Sequence, residues 1–307
     1  MTDAEPRSCG FVALVGAPNA GKSTLLNALV GAKLSIVSPK VQTTRTRIRG
    51  VATEGRAQIV FVDTPGIFAP KRRLERAMVA AAWAGAADAD LVVVVVDAAA
   101  MAEKKGTPDD DTLRIVEGLR AAGRKAVLAL NKVDKVKPPV LLGLAERLNR
   151  EGIFTDTFMI SALDGSGVAD LKRHLAQQLP EGDWLYPEDQ LSDMPERLLA
   201  AEVTREQLFL QLHQELPYAL TVETESWEEF ADGSAKITQV IYVERENQKA
   251  IVLGKGGARI KAVGAAARKE LAAMLGRTVH LFLFVKVRER WREDPERYRL
   301  WDLDFNA

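Results

Sequence analysis

An α/β domain with a mostly parallel sheet and helices on both faces, followed by a smaller α+β domain, is the architecture that this 307-residue sequence predicts. Three observations point to it. Over residues 10–180, apolar strand-like runs end repeatedly in loops that open onto helical patterns, the rhythm of alternating strands and helices. Residues 181–196 form an acidic, proline-containing linker. Residues 197–307 then change to a helix, strand, strand, helix, helix, strand order, and residues 1–9 make a short polar N-terminal tail.

The elements justify themselves in order. Phe11 to Val15 is an apolar run leading into a glycine loop, after which Leu25, Leu26 and Leu29 take helical spacing. Ile59 to Val62 is a buried-strand pattern. Met78 to Val96 is apolar enough to suggest a membrane span, but Asp88 and Asp90 interrupt it, which predicts an alanine-rich helix followed by the buried strand Leu91 to Val96. The segment Ala98 to Lys105 has no predicted conformation. Gly106 to Asp111 starts a helix with its aspartates at the positive end. Ala126 to Leu130 is another strand, and Val168 to Leu179 is the helix that closes the first domain at Pro180.

Four loops carry the chemistry. Gly16-Ala17-Pro18-Asn19-Ala20-Gly21-Lys22-Ser23-Thr24 is a G-x-x-x-x-G-K-S phosphate loop between strand and helix. Its glycines let the backbone close around phosphate oxygens, so that amide N–H groups and the helix N-terminus supply positive potential. Lys22 then reaches the β and γ phosphates, and the Ser23 hydroxyl binds Mg²⁺. Asp63-Thr64-Pro65-Gly66 places a carboxylate at the end of a strand, near the metal, with the Gly66 amide toward the γ phosphate. Alone, such a tetrapeptide is as readily an ordinary turn.

Asn131-Lys132-Val133-Asp134 decides the base. A carboxylate at Asp134 accepts from guanine N1 and N2, where adenine offers no matching donors, while Asn131 braces the loop and the Lys132 stem covers the ring. A pocket built on such bonds rejects an analogue lacking them by roughly 10⁴ or more. Ser161-Ala162-Leu163 adds a backbone N–H for guanine O6. Together these segments predict a GTP-hydrolysing switch, with GTP and GDP as its ligands. An ATP-dependent kinase is a remote alternative that Asp134 opposes.

The string Val41-Gln42-Thr43-Thr44-Arg45 and the pattern G-x-P-N-x-G-K-S-T resemble those of the translation-factor-like GTPases and, more narrowly, of the Era family of bacterial ribosome-assembly GTPases. The resemblance extends over nearly the whole chain. It implies that Thr44, or alternatively Thr43, completes the Mg²⁺ shell beside Ser23 and Asp63. It also implies that Asn19 ligates a K⁺ ion acting where an arginine finger otherwise would; the competing reading is that Asn19 only shapes a turn. Ile67 stands where Ras-type proteins carry a water-orienting glutamine, so intrinsic hydrolysis is expected to be slow. Lys22, Asn19, Thr44 and Gly66 are thus the candidate catalytic set. Arg45, Arg47 and Arg49 read as strand-face charges before RNA contacts.

The formal charge is zero, with 42 basic and 42 acidic residues, yet it is uneven. Between Gln248 and Arg292 eleven basic residues face two acidic ones, leaving nine net negative charges on the rest. Such asymmetry suggests that the C-terminal part meets a polyanion, although a charge run alone is often just a solvated face. Gly254-Lys255-Gly256-Gly257 forms a G-x-x-G loop between Gln248 to Leu253 and Ala258 to Leu275. In the second helix Ile260, Val263, Ala267, Leu271 and Met274 make one buried stripe, with Arg259, Lys261, Arg268 and Lys269 off it. Strands are expected at Tyr218 to Phe230, Ala235 to Glu244 and Thr278 to Arg288, after an amphipathic helix from Arg197 to Leu216.

That order resembles a type II KH domain, in which the glycines admit the nucleic-acid backbone, Lys255 neutralises phosphate, and an adjoining groove holds about four bases. The candidate RNA contacts are Gly254, Lys255, Gly256, Gly257, Arg259, Ile260 and Lys261. The family resemblance implies 16S rRNA near its 3′ end and the small ribosomal subunit as partners, and peripheral attachment to the inner face of the cell membrane. No lipid-anchor pattern is visible, and Met1 to Ser8 is not a signal peptide. Cys9 is the only cysteine, so no disulfide partner exists within the chain and a cytoplasmic setting is expected. His174, His213 and His280 form no metal or triad pattern. A rival function is a constitutive RNA-binding scaffold with a structural nucleotide site.

Overall fold

A computed structural model describes residues 6–40, 43–212 and 216–307. Val41 and Gln42 of the switch string, and His213, lie outside the described residues. By internal contacts the chain divides into two units. The first comprises residues up to Ser35, Thr44–Asp193 and Tyr298–Ala307; the second comprises Ile36–Thr43 and Met194–Arg297.

The first unit is a six-stranded sheet in the order β2-β3-β1-β4-β5-β6. Its strands are β1 (Ser8–Val15), β2 (Ile48–Glu54), β3 (Ala57–Asp63), β4 (Leu91–Asp97), β5 (Ala126–Asn131) and β6 (Phe154–Met159). Only β2 runs antiparallel to its neighbour. Five consecutive valines in β4 are buried, the composition of a strand covered on both faces. The helices are α1 (Lys22–Val30), α2 (Arg73–Asp88), α3 (Ala98–Glu103), α4 (Asp110–Ala121), α5 (Pro138–Asn149) and α6 (Val168–Gln178). Helices α2 to α5 pack Ala82, Met101, Ile115 and Leu144 into one core with β1, β4 and β5. Segment Ala98 to Lys105, open in the sequence, is mostly helix α3, because the Asp97 carboxylate accepts from the Ala100 N–H and caps it. Asp109 caps α4 in the same way through Thr112.

Two segments of this unit differ from their sequence reading. Residues 181–193, expected as a free linker, are tied down along β2 and β3. The Val51 N–H donates to Leu191 O (2.8 Å), Gln58 Nε2 donates to Tyr186 O (2.8 Å), and Arg49 pairs with Asp193 (2.9 Å). The C-terminal segment 298–307 also belongs here: Thr46 Oγ1 donates to Trp301 O (2.7 Å), Arg47 pairs with Asp302, and Arg73 lies over Phe305. Boundaries drawn along a continuous chain cannot register such returning segments. Arg45, Arg47 and Arg49 all have contacts inside the unit, Arg45 lying 6.0 Å from the Trp301 ring.

The second unit carries α7 (Glu196–Gln211), β7 (Leu220–Glu229), β8 (Ala235–Val243), α8 (Glu246–Leu253), α9 (Ala258–Leu275) and β9 (Val279–Val287). Strand β8 pairs antiparallel with β7 and parallel with β9. Val263 and Leu271 of α9 pack against the apolar face of this sheet with Leu208 and Val203 of α7. The helix expected to reach Leu216 ends at Gln211, where Leu212 turns to extended backbone; Leu216–Ala219 is a 3₁₀ turn. Nor is α7 simply amphipathic: Glu202, Thr204, Arg205 and Glu206 are buried along with its apolar residues. Residues on either side of Val41 and Gln42 meet its polar side, with Val37 N–H donating to Glu206 (2.7 Å) and Arg205 to Thr43 O (2.6 Å). Among the described residues no helix is long and apolar enough to cross a membrane.

Candidate functional site

The parallel strands of the first unit deliver their loops to one sheet edge. Val15, Asp63, Asp97, Asn131 and Met159 are C-terminal strand residues, the edge at which open α/β sheets bind ligands. The phosphate loop turns there because Gly21 adopts φ +97° and a Cβ at that position would stand 2.2 Å from Asn131 Nδ2. Asn19 also has positive φ, 63°, a conformation asparagine tolerates well, and this accords with a turn-shaping role.

Lys22 is buried, its Nζ donating to Gly16 O and Ala17 O, both at 3.0 Å. Desolvation lowers its pKa to about 8 against the opposing pull of Asp63. Asp63 is fully buried, and burial raises its pKa despite Lys22 and hydroxyl donors. Asp63 Oδ2 accepts from Ser23 Oγ (2.7 Å) and Ser35 Oγ (2.9 Å), and Thr44 Oγ1 lies 2.8 Å from Ser23 Oγ. Asp63 Oδ1 is buried without a hydrogen-bond partner. Two hydroxyls and a carboxylate with an unused buried oxygen form the donor set that a hard divalent cation takes, so these residues fit Mg²⁺. Thr43 instead bonds Ser38 and Lys40 O, so Thr44 is the threonine beside Ser23 and Asp63.

Gly66 approaches Pro18, and Ile67, fully buried in the core, donates its N–H to Gly16 O (3.2 Å). Thr64 is buried and bonds Leu14 O, while Pro65 is also buried. Thr24 lies in the first turn of α1, next to Ser23. On the opposite side of the phosphate loop, Asn131 Nδ2 donates to Ala20 O (2.8 Å) and Asn131 Oδ1 accepts from Ala162 N–H (2.9 Å). One side chain thus fastens three loops. Lys132 takes φ +65° and sends its Nζ to Asn19 O (2.8 Å) and the Asp97 carboxylate. Val133 and Asp134 begin a one-turn 3₁₀ helix that leaves the Asp134 carboxylate exposed, and the Leu163 side chain projects outward.

All the predicted nucleotide residues therefore meet at this edge. Two residues that the sequence reading missed join them. Ser35 reaches Asp63 from a loop with no distinguishing pattern, held by Asn27 Oδ1 accepting from the Leu34 and Ser35 N–H groups. Asp97 could have been suspected, as the carboxylate that ends the valine strand.

In the second unit the G-x-x-G loop joins α8 to α9. Gly254, Gly256 and Gly257 all have positive φ, and a Cβ on Gly254 would lie 2.8 Å from that of Arg259. Lys255 and Lys261 are exposed. Arg259 donates to Ile251 O (2.6 Å), closing the end of α8, and Ile260 packs partly into the core.

Comparison with known proteins matches both units. Residues 11–132 match the family described as 50S ribosome-binding GTPase, and residues 215–292 match the KH domain. GTPase Era of Brucella suis biovar 1 is 61% identical over 99% of this chain and 96% of its own length. GTPase Era of Afipia carboxidovorans is 60% identical over 98% and 96%. Among solved structures, Era in complex with MgGDPNP and nucleotides 1506–1542 of 16S ribosomal RNA superposes with TM-score 0.89 at 38% identity, covering 96% of this chain and 98% of that one. An Aquifex aeolicus Era variant bound to GDP·AlF₄⁻ gives TM-score 0.88 at the same identity and coverage.

Proposed function

This chain belongs to the Era family of GTPases, and from that premise we propose that it is a cytoplasmic GTP-driven switch that binds 16S rRNA near its 3′ end and assists assembly of the small ribosomal subunit. The observation that carries the nucleotide half is the convergence of Lys22, Ser23, Thr44 and Asp63 on one side of the phosphate loop and Asn131 and Asp134 on the other. The RNA half is supported by the Era complex that holds both MgGDPNP and 16S rRNA nucleotides.

In this reading Gly16 to Thr24 wrap the phosphates, and Lys22 exchanges its two carbonyl partners for β and γ oxygens. Ser23, Thr44 and Asp63 hold Mg²⁺, which when bound neutralises charge on the β and γ phosphates. Asp134 selects guanine, with Ser161 to Leu163 presenting backbone to O6. Ile67 has no side-chain group to orient the attacking water, so turnover relies on positioning by Gly66 and Thr44; Asn19 would be the residue to hold a K⁺ ion, which would supply positive charge beside the phosphates. Faster hydrolysis in potassium than in sodium, abolished by Asn19→Ala, is the expected result; equal rates in the two salts would leave Asn19 with its turn alone. Gly254 to Lys261 take the RNA backbone and bases. Peripheral membrane attachment belongs to the same reading.

RNA crosslinking with sequencing in GTP-analogue and GDP states tests the whole. A 16S 3′-end footprint that changes with nucleotide is expected. A footprint indifferent to nucleotide would instead identify a constitutive scaffold.

A further inference from the structure

Helix α9 has the G-x-x-G loop at its start and a second basic feature toward its end. Where α9 runs out and β9 begins, a shallow cleft of about 470 Å³ is lined by Arg268, Lys269, Ala272, Arg277 and Thr278, among others, and no carboxylate lines it. Arg277 is already engaged, pairing with Glu229 (3.0 Å) and Glu196 (3.5 Å) and lying over Trp227. Arg268 and Lys269 are different: both are exposed, and neither side chain has an ion-pair partner among the described residues. The neighbouring Glu270 points elsewhere, accepting from Gln207 (3.0 Å) on α7.

Helical geometry connects this cleft to the loop. Lys261, Ala265, Arg268 and Ala272 follow one another at four- and three-residue steps, so they share one stripe along α9. Lys261 and Arg268 are separated by about 10 Å along the axis, at ~1.5 Å per residue. The alanines between them leave the helix surface low, so an extended backbone can lie against it within reach of both cations. A solvated helix face accounts for cations taken singly, but not for two unpaired cations lining one concavity, the first of which, Arg268, shares the α9 stripe of Lys261.

We propose that RNA leaving the G-x-x-G groove continues along this stripe of α9 and that its phosphates occupy the cleft on Arg268 and Lys269, with the exposed Thr278 hydroxyl as a further donor. The inference rests on the RNA-binding reading of the second unit and extends its footprint by roughly the length of α9.

The test uses the full chain and the R268A/K269A double variant. Both positions are exposed and helical, where alanine is the best helix former, so folding is not at stake. Binding is measured across salt for a short single strand that fills only the groove and for the same strand extended by about ten nucleotides on each side, a length chosen to exceed the roughly four bases a KH groove holds. The wild-type protein should bind the long RNA more tightly, and the variant should lose that gain while binding the short RNA unchanged. Removing two phosphate contacts should flatten the long-RNA salt slope by about 1.4. The affinity lost between roughly 50 and 200 mM salt then shrinks by about sevenfold. Restoring the charges as R268K in the K269 background should recover the slope. Equal behaviour of variant and wild type on both RNAs, or an equal weakening on both, would overturn the proposal. So would loss of binding to phosphatidylglycerol vesicles with RNA binding intact, which would assign the cleft to lipid headgroups. If the wild-type protein binds neither RNA, the RNA reading of the unit itself fails.

Discussion

Replacing Asn131 by alanine removes two buried hydrogen bonds in one step, and the consequences can be worked out from their partners. The carboxamide is 2% exposed; its Nδ2 serves the Ala20 carbonyl and its Oδ1 serves the Ala162 N–H, on residues that are themselves 1% and 6% exposed. Alanine reaches neither group. Each orphaned buried backbone group costs about 1–3 kcal/mol, so the nucleotide unit should lose roughly 3 kcal/mol, a large share of ordinary domain stability. For a unit of this size that corresponds to a fall in Tm of about 6–12 °C. Asn131→Asp separates the halves of the effect: it keeps an acceptor for Ala162, loses the donor, and sets an oxygen against the Ala20 carbonyl. The assay is urea unfolding with and without GDP. Wild-type protein should gain about 2.7 kcal/mol at a GDP concentration one hundred times its dissociation constant, and Asn131→Ala should lose most of that gain because the three loops it fastens form the pocket. A destabilisation below about 0.5 kcal/mol with the GDP gain retained would refute the reasoning, since it would mean the loops hold their positions without this side chain.

Three further outcomes are expected. Burial holds the Lys22 ammonium down to about 8 from 10.5. Below pH 8 both native and unfolded chains are therefore protonated and the burial penalty is fully present. Between about pH 8 and 10.5 the unfolded chain binds the extra proton, so nucleotide-free stability should rise with pH in that window. Phosphates restore the charge, so nucleotide binding near the same pH should take up a proton; a calorimetric enthalpy independent of buffer would contradict this. Asp134→Asn should shift base preference from guanine to xanthine, because the amide reverses one donor–acceptor pairing with the ring, and unchanged GTP affinity in a nucleotide titration would remove Asp134 from the pocket. Converting Lys255 and Gly256 together to aspartate should abolish RNA binding in gel shifts while leaving GDP affinity intact and lowering the melting temperature only slightly, since both residues are exposed, the loop lies outside the core, and aspartate is among the residues that tolerate the left-handed backbone of Gly256. Retained RNA affinity in that folded variant would move the site from the loop to the surrounding basic surface.

Much of this molecule was legible along the chain because its chemistry is contiguous. The phosphate loop, Asp63 and Asn131 to Asp134 each stand at the end of a strand, and a strand buried on both faces leaves an apolar run that marks its end; Ser161, after the half-exposed β6, was placed only by its position relative to the other loops. The G-x-x-G loop was legible for the same reason, lying between two helical patterns and followed by a strand of alternating residues. Tertiary structure alone chose Thr44 over Thr43 beside Ser23, because the register of a loop is set by what it packs against and carries no periodicity. It alone brought Ser35 to Asp63 and Asp97 to Lys132, hydrogen bonds and ion pairs between residues 28 and 35 positions apart. The return of residues 298–307 to Thr46 and Arg47, the anchoring of 181–193 along β2 and β3, and the contacts of Val37 and Thr43 with α7's buried polar side arise likewise. Each depends on surfaces that exist only once separate elements have packed, and no local pattern of residues encodes which surface a passing segment will meet.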